Sequence, residues 1–215
     1  MQLLSLNVAM PVEIQYQGKP LSTGIYKKAV EGAVYLSTVQ LAGDGQADLV
    51  NHGGPDKAVC VYPSEHYSSW EERLERDLEF GTFGENFTVS GLTETQVHIG
   101  DIFELGEALL QVSQPRQPCF KLGKKLELAE MPFWVQQTGH TGYYFRVLKE
   151  GHVESGQQFR LVEQDAAGIT VAEANRLKYH DKSDWEGIRS LLKVEALSES
   201  WRDSFQKRLD AVEKG

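Results

Sequence analysis

A change of rhythm near residue 163 constrains this 215-residue chain more than any other feature. Before it, short apolar runs at 3–8, 12–15, 34–39, 58–62, 87–89, 102–105 and 108–112 are cut by glycine and proline and read as strands. Twelve glycines precede residue 113, as the tight corners of a small sheet or barrel require. Two helices interrupt this pattern. One, over 64–79, places Tyr67, Trp70 and Leu74 on a face opposite acids and arginines. The other covers 127–137, where Pro132 is compatible only with a helix start or a turn.

After the change, apolar residues recur at helical spacing. Thr170 and Glu173 fit a capping box for a helix running towards Tyr179. Asp184 caps a second helix carrying Ile188, Leu191 and Leu192; Ser198 caps a third with Trp201, Phe205, Leu209 and Val212 in one stripe. Helices this short are not stable alone, so they pack on one another or on the strand-rich part. The expected fold is mainly β in a mixed α+β architecture. A β domain spans 1–162, and a small three-helix domain spans 163–215.

Composition narrows the function. The net charge is −9, and duplex binding draws its affinity from neutralised phosphates, so no duplex nucleic acid is expected as a partner. Two cysteines cannot build a cysteine-rich zinc cage, and they fit a reducing compartment. No basic leader and no long apolar run is present, so the expectation is a cytoplasmic protein without membrane contact. Phosphate-loop, dinucleotide-binding, zinc-protease and serine-elbow motifs are absent. The six histidines show no ligand spacing; His66 and His180 read as solvated, and His140 lies in a glycine-flanked turn.

Charge is unevenly spread. Residues 1–112 hold six basic and sixteen acidic side chains, whereas 113–125 (SQPRQPCFKLGKK) hold Arg116, Lys121, Lys124 and Lys125 and no acid. Cys119 sits inside this island, approached through Pro115 and Pro118, in what reads as a fixed loop after a strand. Nearby positive charge favours thiolate, which is both a nucleophile and a soft metal ligand. Local composition equally allows a buried structural thiol with lysines facing water. Cys60, in the apolar run AVCVY, reads as strand core.

Two further segments stand out. In DLVNHGGPDKAVCVY, a glycine pair brings His52, Asp56 and Lys57 to a bend before a strand. His52 can relay protons near neutrality and Lys57 can hold an anion, or both are ordinary turn residues. In GTFGENFTVSGL, Glu85 and Asn86 offer an acid and an amide, or simply a self-capped turn.

Together NHGGPDKAVCVY, TFGENFTVSGL, HIGDIFELG and SQPRQPCFKL closely resemble the MOSC family, named after the molybdenum-cofactor sulfurase C-terminal domain, and its YiiM-type branch in particular. The tail resembles that branch's three-helix domain. The resemblance implies a MOSC-type β-barrel with a pocket for a molybdenum–pterin cofactor. It places the family's metal-binding thiolate at Cys119, with Arg116 and Lys121 along the anionic side and His52, Lys57 and Asn86 in the neighbouring motifs. It also implies reduction of small N-hydroxylated bases or nucleosides, such as 6-N-hydroxylaminopurine, to amines; His52, by its own chemistry, is the candidate proton relay for that reaction. No flavin, haem, iron–sulfur or zinc site of the chain's own is expected, so a separate electron-donating reductase or redox carrier is implied. The alternatives are a carrier that holds the cofactor or sulfur on Cys119 without reducing anything, and a Cys119/His52 thiol hydrolase.

Overall fold

The computed structural model describes residues 1–47 and 53–213. Strand β1 (Gln2–Val8) leads into a hairpin of β2 (Val12–Tyr16) and β3 (Lys19–Thr23), followed by the short β4 (Lys28–Ala29) and β5 (Val34–Leu36). Then come β6 (Val59–Pro63), α1 (Tyr67–Leu74), β7 (Phe87–Ser90), β8 (Ile102–Leu105) and β9 (Ala108–Pro115). Helices α2 (Phe120–Leu126) and α3 (Met131–Thr138) precede β10 (Tyr143–Lys149), β11 (Gly151–Val153) and β12 (Arg160–Glu163). The tail is α4 (Val171–Asn175), a π-helical turn over Arg176–His180, α5 (Trp185–Leu192) and α6 (Glu199–Glu213).

Eight strands form one sheet in the order β12-β8-β9-β10-β6-β7-β1-β4. All its pairs are antiparallel except β6–β7, which is joined through α1. That parallel pair explains why β6 (VCVYP) is buried at every position rather than alternating. The sheet curls until its ends meet. Leu3 N–H donates to Gln157 O at 3.0 Å and Phe159 N–H to Met1 O at 3.0 Å. No regular strand ladder completes the circle among the described residues, so the expected β-barrel takes the form of a curled half-barrel bridged by loop bonds.

Inside the curl, Phe103, Phe145 and Phe159 form a ring cluster with centroids 6.0–6.2 Å apart. The tail's Leu177, Ile188, Leu191, Trp201 and Phe205 belong to the same continuous core, so sheet and helices are buried against each other. Their caps form as the sequence indicates: Thr170 Oγ1 accepts Glu173 N–H at 3.0 Å, and Asp184 Oδ1 accepts Gly187 N–H at 2.8 Å. Glu173 does not reach back to close the box, because its carboxylate pairs with Arg176. Val212 is 51% exposed and leaves the predicted stripe.

A second apolar cluster, of Tyr62, Trp70, Phe83, Leu122, Met131 and Val135, joins α1, α2 and α3 beneath the basic island. Gly142 opens β10 at φ +69°, where a Cβ would lie 2.2 Å from Val61 O, so only glycine lets β10 start against β6. Other boundaries differ from expectation. The 64–79 helix is a 3-10 turn plus α1 and stops at Glu75, whose φ is +53°. The second predicted helix starts at Met131, with Pro132 in its first turn. The basic island, read as a loop, turns helical directly after Cys119.

Candidate functional site

The strand ends and loops around β6 enclose a cleft with about 660 Å³ of empty space, mouth included. One wall is the stretch that ends β9 and starts α2, carrying Arg116, Gln117, Cys119 and Lys121. Opposite lie Thr23, Gly24, Ile25 and Lys27, with the Asp44–Ala47 turn beside them; Lys57, Cys60, Phe83, Gly84, Asn86 and Tyr144 complete the lining. Five positions singled out in the sequence therefore meet in one cavity: Cys119, Arg116, Lys121, Lys57 and Asn86. His52 lies outside the described residues.

Cys119 is a free thiol at the N-cap of α2, half-buried, in extended conformation (φ −119°, ψ 169°). Proline on its approach and the α1–α3 apolar cluster beneath fix where it emerges. Cys60 lines the same cleft but is buried, and burial pushes its thiol up to about 11, so it stays protonated at neutral pH. One thiol is thus placed for chemistry and one for packing.

Arg116 is buried, and its Nη2 donates to Phe83 O at 2.6 Å. Its Nη1 has no hydrogen-bond partner among the described residues. Burial works against its charge, but Cys60, Tyr144 and Cys119 around it outweigh that and hold the guanidinium above its usual range. A buried cation with a spare donor has the chemistry to receive an anionic group.

Asn86 lines the wall with its amide fully engaged. Oδ1 accepts Cys60 N–H at 3.1 Å, while Nδ2 donates to Asn7 O at 3.2 Å and Asp44 Oδ2 at 2.9 Å. Its neighbour Glu85 points away from the cleft and accepts from Tyr67 Oη, from Gly81 N–H at 2.8 Å and from Thr88 Oγ1 at 2.9 Å. The GEN turn therefore holds the wall together.

Sequence reasoning missed Lys27 and Asp44, a buried ion pair at 2.5 Å on the cleft wall. Asp44 also accepts Ala9 N–H at 2.8 Å and the Asn86 amide, which balances its charge. The available signal was its setting, an acid between Gly43 and Gly45. Gly24 packs so close that a Cβ would sit 2.6 Å from Gly45 O. Elsewhere, His66 is not solvated: it is buried, 2.6 Å from Glu94, and stacked on His140 with centroids 3.8 Å apart. Those two histidines line a second cleft at the junction with α4. Asp101 is a buried acceptor for His98 and Asp165 N–H.

Among the described residues no group of three or more His, Cys, Asp or Glu could hold a metal ion. A metal in the cleft would need ligands supplied by its own organic cofactor, with one protein sulfur and cationic side chains for anionic parts. No helix among the described residues is long and apolar enough to cross a membrane.

A half-barrel with a helical appendage and a thiol–arginine cleft defines a recognisable class. The MOSC domain model matches residues 48–160, and the YiiM-like, 3-alpha helix domain model matches 169–211. The chain belongs to the MOSC family, in its YiiM-like branch. It is 56% identical over 210 residues to the uncharacterized protein YflK of Bacillus subtilis (strain 168), covering 98% of this chain and 95% of that one. The crystal structure of YiiM from Geobacillus stearothermophilus superposes with a TM-score of 0.84 at 42% identity, covering 97% and 98% of the two chains. A protein of Gibberella moniliformis named "Reductase" is 35% identical over 164 residues, which are 74% of this chain but 29% of that longer one.

Proposed function

We propose that this protein is a molybdenum-cofactor-dependent reductase that converts small N-hydroxylated bases or related compounds to amines. MOSC domains are associated with molybdenum-cofactor binding, and a relative carries the name reductase. The observation that carries the reading is the pairing in one cleft of a half-exposed thiol, Cys119, with Arg116, whose buried Nη1 lacks a partner among the described residues.

The lining suits a molybdenum–pterin group. Cys119 would be its protein thiolate ligand; Arg116, Lys121 and Lys57 would hold its phosphate and pterin oxygens. Bound there, the group supplies two-electron transfer. The overall change is R–NHOH + 2e⁻ + 2H⁺ → R–NH₂ + H₂O, in which the N–O bond breaks. The residues orient the substrate between the 23–25 segment and the 116–119 wall, and Phe83 and Tyr144 keep water from the inner end. His52 is assigned the proton delivered to the departing hydroxyl oxygen. A separate donor supplies the electrons.

The test is metal and pterin analysis of protein made in cells able to synthesise the cofactor, together with Cys119→Ala. The expected result is near-stoichiometric molybdenum in the parent and its loss in the variant. Stoichiometric molybdenum in the variant overturns the ligand assignment. Loaded parent protein that fails to reduce 6-N-hydroxylaminopurine with reduced methyl viologen makes the protein a cofactor carrier instead.

A further inference from the structure

We propose that the second cleft, at the junction of the sheet with α4, is a binding site for small protonated primary amines. It holds about 740 Å³ of empty space, mouth included, and among the described residues shares no lining side chain with the Cys119 cleft. His66 from the turn before α1, Glu94, His140 from the turn before β10 and Asn175 at the end of α4 meet there. The π-helical turn starts directly after Asn175 and brings Arg176 and His180 to the same cleft. Such local widening of a helix is frequent where a fold carries a site.

Two polar atoms of this lining have no hydrogen-bond partner among the described residues: Asn175 Oδ1 and His140 Nδ1. Asn175 is 1% exposed, and its amide can stand only one way round. Thr141 Oγ1 spends its proton on Gly142 O at 2.8 Å, so it can only accept from Asn175 Nδ2, at 2.7 Å. Oδ1 is therefore a buried acceptor waiting for a donor, and leaving it unpaired is a cost that an N–H ligand removes. His140 is half-buried; burial, and then the stacked His66 ring 3.8 Å away, lower its basicity and keep it neutral at pH 7.5. With its proton on Nε2, a neutral imidazole offers the Nδ1 lone pair as a second acceptor.

Charge decides the class of ligand. Arg176 is the one arginine or lysine among the described lining residues, and its guanidinium is taken up by Glu173, Asp181 and Asp184. Glu94 adds a buried carboxylate, with Oε2 2.6 Å from His66 Nε2 and Oε1 accepting Gly142 N–H at 2.7 Å. Four carboxylates thus stand against one guanidinium, so an anion finds repulsion and no spare cationic donor, while a cation is attracted. A metal ion does not fit, since no group of three or more His, Cys, Asp or Glu among the described residues could hold one. An ammonium does fit: it is a compact cation with three N–H donors, enough for Asn175 Oδ1 and His140 Nδ1 together.

The test titrates the full chain at pH 7.5 with butylamine, and with butyrate and 1-butanol as controls of equal length, by calorimetry and by NMR of the imidazole C–H signals. Salt at about 150 mM screens diffuse attraction of a cation to the acidic surface. The expected result is saturable binding of one butylamine per chain that moves the His66 and His140 signals, with no saturation by either control. His140→Phe keeps a flat ring against His66 but lacks Nδ1, and Asn175→Leu lacks Oδ1; each should weaken butylamine at least about tenfold. Thermal melts establish that the variants are folded, and if Asn175→Leu is not, His140→Phe decides alone. Absence of saturable butylamine binding, equal binding of butyrate, or affinity unchanged in His140→Phe overturns the proposal.

Discussion

Arg146 grips Asp56 through two nitrogens, Nε at 2.8 Å and Nη2 at 2.5 Å, both on Oδ1. Oδ2 of the same carboxylate takes Glu199 N–H at 3.3 Å, and the Asp56 carbonyl accepts Ser113 Oγ at 2.5 Å. One residue beside Lys57 thereby joins the cleft loop, β10, β9 and the start of α6. Ser198 N–H to Ser113 O at 3.0 Å and Ser200 Oγ to Gln114 Oε1 at 3.2 Å brace the strand that leads to Arg116. The tail is thus a buttress behind the Arg116 wall and the loop that carries Lys57.

Asp56→Ala is expected to lower stability by about 1–2 kcal/mol, the scale of lost charge-assisted hydrogen bonds that are only partly screened. Asp56→Asn, which keeps an acceptor for Glu199 N–H, should lose less. Urea denaturation of the three proteins checks the order; equal stabilities would show that the contact carries no weight.

The two thiols should differ sharply in reactivity. Iodoacetamide at pH 7.5 is expected to alkylate Cys119 and to spare Cys60, which is buried with its thiol pushed up to about 11. Peptide mass spectrometry of the folded protein reads this directly. Labelling of Cys60 at a comparable rate would contradict the burial.

How much of this was legible beforehand depended on where the information lies along the chain. Helix caps are local, so Thr170 and Asp184 announced α4 and α5, and the four cleft positions outside the GEN turn came from compact motifs. The island after Cys119 escaped because Phe120–Leu126 carries a glycine and three lysines, and its helicity depends on burying Leu122 and Leu126 under α1. Asn86 was legible as a pocket residue but not as a saturated one, because its partners Asn7 and Asp44 lie 79 and 42 residues away. His66 looked solvated for the same reason: Glu94 is remote in sequence.

Asn86→Asp removes both donors and sets a second carboxylate against Asp44. The expected loss is at least about 2–3 kcal/mol at pH 7, and it should shrink towards pH 4. The buried new acid has a raised pKa in the folded state, so its penalty appears as pH climbs past the ordinary carboxylate range. Thermal melts of parent and variant at pH 4 and pH 7 test this; a penalty independent of pH would mean that the two carboxylates do not face each other.

Lys125 donates to Gly81 O at 2.7 Å and Ile25 O at 3.0 Å, and burial lowers its pKa to about 8. Between about 8 and the unfolded value near 10.4 the unfolded chain holds the extra proton, so this group makes stability rise with pH in that window. Below it both states are protonated and the contribution is flat. Lys125→Met should abolish the rise while leaving a constant offset from the two unpaired carbonyls. Denaturant melts from pH 7 to pH 10 compare the slopes, and parallel curves would refute the shift.

The saturation of Asn86 also sets where this scaffold can diverge. Its three bonds lock β1, the Asp44 turn and β6 into one frame, so any exchange there disturbs all of them at once. New preferences for molecular guests must therefore arise at lining positions such as Ala47 and Gln117, whose side chains take no part in those three bonds. Selection acting on a lineage of such proteins would leave its diversity at the entrance and its uniformity underneath.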